Sequence, residues 1–328
     1  MIAKTFNDYL LVPQYSDIDS RDEVSLQTNL TSHRTYQLPI MSAPMTTVTE
    51  KEFASALQEH GGYPIIHRYM SIQDRVQHSL ASNKSCVAIG CNELDSLDLF
   101  VNEGITDFCL DVAHAHTKLV GDTVKELKKR YPHAFVIAGN IATQDGYEFL
   151  CDKGADMIRV GIGGGSICTT RVQTGHGVPT LHSVFECASS SYGVPFIADG
   201  GIKTTGDMTK ALAAGASFVM LGSYFAGVQE APGMVLEENG VEYKIYEGMA
   251  SKSAQLKWRG SVRSVEGVSH RVKYKGLLKD VLDELKMNLK SGLSYSGART
   301  IKELQDTVKW LEISGQSYNE SVAHIFNH

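Results

Sequence analysis

One short run holds the residue types that covalent chemistry needs: Gly161-Ile162-Gly163-Gly164-Gly165-Ser166-Ile167-Cys168-Thr169-Thr170-Arg171. Its glycines permit a tight turn whose N–H groups face inward as an anion nest. Ser166 adds a hydroxyl donor. Cys168 follows at the rim, among backbone amides and near Arg171, surroundings that suit a thiolate, the nucleophilic form of the side chain. On composition alone the run is equally a flexible turn with an incidental cysteine, because glycine-rich loops are common. Two later segments are compatible with it. Asp199-Gly200-Gly201-Ile202 and Gly222-Ser223 each end an apolar run. The acidic Asp199 can accept from both hydroxyls of a ribose, and small loops rich in N–H groups hold phosphate. Taken singly, Asp-Gly-Gly is only a turn. Together, three such loops make a nucleotide monophosphate the economical ligand.

Those loops need a frame. Short β-branched, apolar runs occur at Leu38–Ser42, Tyr63–His67, Cys86–Gly90, Phe108–Val112, Ala134–Gly139, Met157–Gly161, Val194–Ala198 and Phe218–Gly222. Amphipathic helical patterns lie between them, at about 49–60, 71–83, 93–104, 117–130, 144–153, 181–191 and 205–214. Nearly all-apolar strands alternating with helices predict an α/β fold with a parallel sheet. An open doubly wound sheet is the alternative. The strand count, and the polar clusters that follow nearly every strand, favour a (β/α)8 TIM barrel, whose active site lies at the C-terminal strand ends. The clusters include Ser42-Ala43-Pro44-Met45, His67-Arg68-Tyr69, Asp111-Val112-Ala113-His114 and Gly139-Asn140. The reading is a single barrel domain over 1–328, with no separate regulatory domain. A flap is inserted after strand eight at about 229–276. Within it Glu242–Tyr246 reads as an edge strand of a hairpin turned at Asn239-Gly240, and the rest, through Gly267, as a long mobile insertion that covers substrate. Helical patterns resume at 277–290 and 300–312.

The 328 residues carry a net charge of −6, which argues against a nucleic-acid partner. Cysteines 86, 91, 109, 151, 168 and 187 show no CxxC spacing, as expected of reduced thiols in a cytoplasmic protein without structural zinc. The first residues lack the apolar run of a signal peptide, and no stretch is long enough to span a membrane. His114-Ala115-His116 at a strand end is one alternative site: with His67 and Asp199 it would bind zinc in a barrel hydrolase. The remaining histidines, among them His176, His324 and His328, read as surface or satisfied core groups.

Ser-Ile-Cys-Thr-Thr-Arg with its glycine-rich turn, Ile-Ala-Asp-Gly-Gly-Ile, Val-Met-Leu-Gly-Ser and Tyr274-Lys275-Gly276 resemble the signature segments of the IMP dehydrogenase/GMP reductase family, in the same order from about Phe6 to Thr300. The resemblance implies that Cys168 attacks C2 of a purine nucleotide, with Thr170 relayed to Glu266 as the acid pair. It implies that Ser166, Gly201, Gly222 and Ser223 hold the phosphate and Asp199 the ribose, that Met249, Ala250, Arg263 and Gly267 close over the purine, and that Gly200 and Gly248 join the same substrate site. Asp111, Val112 and Ala113 would face the nicotinamide, Arg68, Ile162 and Gly163 would join the cofactor site, and Ser20 and Arg21 would contact the cofactor's distal half from a neighbouring subunit. The carbonyls of Gly163, Gly165 and Cys168, beside Arg171, resemble the family's monovalent-cation (K+) loop, although Gly164 replaces the usual Pro. A homotetramer is implied as well. Three features resemble the reductase: an uninterrupted strand two and helix, Thr174-Gly175 after the cysteine loop, and Arg263-Ser264-Val265-Glu266-Gly267 ending the flap. They imply NADPH-dependent reductive deamination of GMP to IMP, a step of purine nucleotide salvage. Ser-Ile-Cys and Val178-Pro179 resemble the dehydrogenase, so IMP to XMP with NAD is the alternative. The motif Tyr-Gly-Met-Ser appears as Glu247-Gly248-Met249-Ala250. A flavin oxidoreductase and a non-catalytic nucleotide-binding homologue are further alternatives.

Overall fold

The computed structural model describes residues 2–321; His324 and His328 lie outside the described residues. Eight parallel strands form one sheet: β1 (Ile40–Ser42), β2 (Ile65–Ile66), β3 (Cys86–Ile89), β4 (Asp107–Asp111), β5 (Phe135–Ile141), β6 (Met157–Val160), β7 (Phe196–Asp199) and β8 (Phe218–Leu221). β8 pairs with β1. The parallel bridge between Met41 and Tyr63 brings β1 back to β2 and closes the ring. The sheet is therefore the expected (β/α)8 barrel rather than an open sheet.

The near-continuous apolar strands hide a period of two. Val87, Ile89, Phe108, Leu110, Val136 and Ala138 face the surrounding helices. Their alternates Cys86, Ala88, Cys109 and Ile137, with Met157, Ile197, Phe218 and Met220, fill the barrel interior. The ring of helices is α1 (Lys51–Glu59), α2 (Ile72–Ala81), α3 (Asp98–Val101), α4 (Lys118–Arg130), α5 (Gln144–Asp152), α6 (Thr180–Ala188), α7 (Thr205–Ala213) and α8 (Leu278–Ser294). Starts are set by side chains that take an orphan N–H: Ser71, Thr117, Thr143 and Thr204 cap α2, α4, α5 and α7. α8 buries Leu278, Leu282, Leu285, Leu289 and Leu293, a single stripe at helical spacing. Only five residues separate β2 from α2, Ile66 from Ile72.

Four expectations need correction. The 93–104 pattern is not one helix but a 3-10 turn at Leu94–Ser96 and the single turn of α3. The 300–312 pattern ends as a helix at Thr307, because Val308 turns extended (ψ 138°) and Trp310–Glu312 pairs antiparallel with Tyr9–Leu11. Glu242–Tyr246 lies in the central, not the edge, strand of its sheet: Val241–Glu247 is flanked by Leu236–Glu238 and Ser269–Lys273. The remainder of the flap is likewise structured, with a helix Lys252–Arg259 capped by Ser251 and ended by Gly260 at φ 67°. No helix among the described residues is long and apolar enough to cross a membrane.

The mouth of the barrel opposite the glycine-rich loops is plugged by the hairpin Thr28–Thr31 and Arg34–Tyr36. Arg34 Nη1 donates to Asp107 Oδ1 at 2.9 Å, and Tyr63 Oη donates to Asp107 Oδ2 at 2.7 Å. Removing one partner of a buried ion pair costs about 3–5 kcal/mol. The Arg34 side chain is 41% exposed, so solvent screening discounts that figure. Arg34→Met is expected to lose about 2–3 kcal/mol in denaturant unfolding, with the nucleotide site unaffected; a loss below about 0.5 kcal/mol would contradict this role.

Candidate active site

A cleft of about 370 Å³ opens at the C-terminal ends of the strands. Its floor is built by the loop after β6. Gly161 must be glycine there: its φ is 143°, and a Cβ would lie 1.9 Å from the Asp199 carbonyl oxygen. That close approach lets the β6 and β7 loops meet. Gly222, after β8, is tightly packed as well, since a Cβ would lie 2.7 Å from Tyr246 Oη. Ser166, Gly200, Gly201, Gly222 and Ser223 line one region of the cleft, the phosphate nest expected of such barrels.

Cys168 sits where the loop turns into the short helix Thr170–Thr174. Its Sγ donates to Thr170 Oγ1 at 3.2 Å, and that hydroxyl donates to Glu266 Oε2 at 2.8 Å. Glu266 arrives from the far end of the flap and is fixed from several sides. Cys168 and Gly267 form an antiparallel bridge. Thr169 N–H donates to the Glu266 carbonyl at 2.9 Å, and Ser264 Oγ to Glu266 Oε1 at 3.0 Å. The buried Gln255 ties the flap internally through the carbonyls of Ala250 and Ser264. Thiol, hydroxyl and carboxylate thus form a continuous line along which a proton can leave the sulfur.

Four of the other five thiols are unsuited to that role. Burial pushes Cys109 and Cys187 up to about 12, Cys151 up to about 11, and Cys86 well above the usual thiol range. Alkylation of the native protein with iodoacetamide at mildly alkaline pH is therefore expected to spare Cys86, Cys109 and Cys187 and to modify Cys168, with a bound purine nucleotide protecting it. Peptide mapping that finds Cys109 or Cys187 modified as fast as Cys168 would contradict the assignment.

Across the cleft lies a charge network that the sequence reading missed. Arg159, buried in β6, donates through Nη1 to Asp111 Oδ1 at 2.7 Å and through Nε to Asp199 Oδ2 at 3.0 Å. The two carboxylates hold its guanidinium firmly charged despite the burial. Asn140 Nδ2 donates to the same Asp199 Oδ2 at 2.7 Å. Asp199 therefore keeps only Oδ1 uncommitted, which sharpens its expected grip on ribose from two oxygens to one. Arg68 lies 3.6 Å from Asp111, and its buried Nε has no hydrogen-bond partner. Tyr246, 5% exposed, lines the cleft with its hydroxyl beside Ser166 and Ser223; burial raises its phenol. The signals for Arg159 and Tyr246 were present: a charge at an inward position of an apolar strand, and a tyrosine just before the flap segment that lines the cleft.

The remaining expected residues divide cleanly. Met249, Ala250, Gly248 and Gly267 line the cleft, as do Asp111, Val112, Ala113, Ile162 and Gly163. Arg263 does not; its N–H is bound to Gln255 Oε1 at 2.9 Å. Ser20 and Arg21 lie in a capped 3-10 turn outside the cleft of this chain. The side chain of Arg171 packs over Gly163 and Gly177 and donates to the Val178 carbonyl at 2.7 Å. The His-x-His pair falls past the end of β4: His116 packs on Phe149, and His67 is bound to Glu50. Among the described residues, no group of three or more His, Cys, Asp or Glu side chains could hold a metal ion.

Comparison with known proteins agrees with this construction. Residues 3–324 match the family described as IMP dehydrogenase / GMP reductase domain. An inosine-5'-monophosphate dehydrogenase of Cryptosporidium parvum is 36% identical over 98% of this chain and 94% of its own length. An inosine-5'-monophosphate dehydrogenase of Aquifex aeolicus is 45% identical, over 73% of this chain and 51% of its own. GMP reductase 1 of Rattus norvegicus is 36% identical over 95% of each chain. A barrel with a cysteine on its β6 loop, a flap-borne glutamate at hydrogen-bonding range through Thr170, and a match along almost the whole sequence lead to one conclusion: the chain belongs to the IMP dehydrogenase/GMP reductase family, oxidoreductases of purine nucleotide metabolism.

Proposed function

We propose that this chain reduces GMP to IMP and ammonia with NADPH, through a covalent bond between Cys168 and purine C2. The observation that carries the reading is the line Cys168 Sγ–Thr170 Oγ1–Glu266 Oε2. GMP binds with its phosphate among Ser166, Gly200, Gly201, Gly222, Ser223 and Tyr246, and a ribose hydroxyl on Asp199 Oδ1. As Sγ attacks C2, the thiol proton passes through Thr170 to Glu266. Returned along the same path, it protonates the amino group, which leaves as ammonia because amide ion is too poor a leaving group. The result is a thioimidate on Cys168, one hard displacement divided into two easier steps. No proton from outside is needed for this half.

For a nicotinamide dinucleotide the described residues fit: Asp111, Val112, Ala113, Ile162 and Gly163 form the wall of the cleft, and the orphaned Arg68 Nε is a donor in want of an acceptor. Bound there, the reduced cofactor supplies a hydride to C2. Cys168 then leaves as thiolate, IMP is freed, and one proton from water restores the thiol. Ser20 and Arg21 could join only from a second copy, in keeping with a homotetramer. The carbonyls of Gly163, Gly165 and Cys168 do not complete a K+ shell by themselves: Gly165 already accepts the Cys168 N–H at 3.1 Å, and the Arg171 side chain lies over Gly163. No step depends on that ion. Salvage in the cytoplasm is the setting such chemistry suits.

The second reading, oxidation of IMP to XMP with NAD, is favoured by the identity to proteins named dehydrogenases. It needs a group that activates water for hydrolysis of the adduct. The flap carries no consecutive Arg-Tyr pair, the pair that the family resemblance assigns to that task. GMP with NADPH, and IMP with NAD⁺, followed in parallel by nicotinamide absorbance, separate the two. Turnover in the first pair is expected; turnover only in the second would overturn the proposal.

A further inference from the structure

The flap contains a buried carboxylate that this chemistry does not use. Glu247 stands where the family motif has Tyr, and it is 5% exposed. Its carboxylate draws donors from two different flap elements. Ser253 Oγ (2.5 Å) and Lys257 Nζ (3.2 and 3.3 Å) come from the helix Lys252–Arg259. Ser269 Oγ (3.3 Å) comes from the strand Ser269–Lys273. The Ser251 and Ser253 hydroxyls lie 3.2 Å apart, and those of Ser253 and Ser269 3.3 Å apart. The backbone of Glu247 is anchored separately, its N–H donating to Thr47 Oγ1 at 3.1 Å on the loop after β1.

Its place in the chain gives this cluster a consequence for the site. Gly248, Met249 and Ala250 follow Glu247 directly and line the cleft. Glu266 and Gly267 precede Ser269 by two or three residues. The two segments share backbone hydrogen bonds, Gly248 N–H to Val268 O at 3.1 Å and Glu266 N–H to Ala250 O at 3.2 Å. Glu247 is the side chain that binds the element after each of them. A fully satisfied buried polar cluster fixes rotamers and register, and catalytic groups need such support to hold their geometry. We propose that Glu247 is a positioning residue, which sets the seat of the purine and the placement of Glu266 together. The claim rests on the nucleotide reading above.

Full-length Glu247→Ala, Glu247→Gln and Ser253→Ala are compared with wild type in steady-state kinetics, using the nucleotide that the wild type converts. A misplacement of about 1 Å costs roughly 100-fold. For Glu247→Ala, KM for the nucleotide is therefore expected to rise, and kcat to fall, by about tenfold or more each. KM for the dinucleotide, bound on the opposite wall, is expected to stay within about twofold. Glu247→Gln, which keeps acceptors for the serines, should recover most of the nucleotide KM. Ser253→Ala, which leaves the carboxylate paired with Lys257, should fall between. Trp258 in the same helix stacks on Tyr69 at 5.5 Å, so its fluorescence gives a readout apart from turnover: nucleotide should perturb it in wild type and Glu247→Gln, and less in Glu247→Ala. Nucleotide KM and kcat within about twofold of wild type in Glu247→Ala would overturn the proposal. So would equal rises in both KM values with a lowered melting temperature. A wild type that converts IMP but not GMP counts against the reductase reading and leaves this comparison intact.

Discussion

Cys168→Ala is expected to lower GMP reduction by about 10⁴-fold or more, a size typical of losing a covalent nucleophile and equal to about 5.5 kcal/mol in the barrier. The alanine variant keeps the phosphate loops, Asp199 and the flap contacts, because the bridge between residue 168 and Gly267 is made by backbone. Nucleotide affinity should therefore remain within about threefold of wild type while turnover vanishes, the pattern of an interaction made only along the reaction path. Kinetics and equilibrium titration on the same preparation check this. Residual turnover above about 1% of wild type would mean that the displacement does not pass through sulfur.

Glu266→Gln has the second largest expected effect. Glutamine preserves the shape and can still accept from Thr170, but it cannot take up and return a proton. General acid–base groups contribute about 10²–10⁴-fold, and loss of GMP turnover in that range is expected. The half-reaction entered from IMP with NADP⁺ forms the same thioimidate without expelling an amine. Its rate in single turnover should fall by less than about tenfold, since the thiol can lose its proton to water instead. Equal losses in both experiments would place Glu266 in flap structure rather than in proton transfer. Thr170→Val, which breaks the line at its middle (3.2 and 2.8 Å), should follow Glu266→Gln in direction.

The barrel was legible because its signal is local and repeated. Each strand is a short apolar run, and four of the barrel helices, α2, α4, α5 and α7, begin at a capping Ser or Thr close to where the amphipathic pattern starts. The β6, β7 and β8 loops were legible for the same reason: glycine and polar residues end apolar runs. What escaped depended on partners far along the chain. Trp310–Glu312 is a strand only because Tyr9–Leu11 pairs with it. Val241–Glu247 became central when Ser269–Lys273 added to its second edge. Arg159 was passed over as part of an apolar run, although a cation there needs the two carboxylates that β4 and β7 supply. The family resemblance also named Glu266 without showing how a residue almost a hundred positions from Cys168 reaches it; the flap sheet and Gln255 do that.

The arrangement also separates two tasks within one cleft. In the proposed reaction the β6–β8 loops and the flap strip would hold the nucleotide, and Arg159 links Asp199, the proposed ribose ligand, to Asp111 on the proposed cofactor side. The most direct test of the proposed reaction uses GMP and NADPH carrying deuterium at the transferred position. The account predicts IMP with deuterium at C2 and one equivalent of ammonia per NADPH consumed; IMP lacking the label, or no IMP from GMP while IMP and NAD⁺ yield XMP, would contradict it.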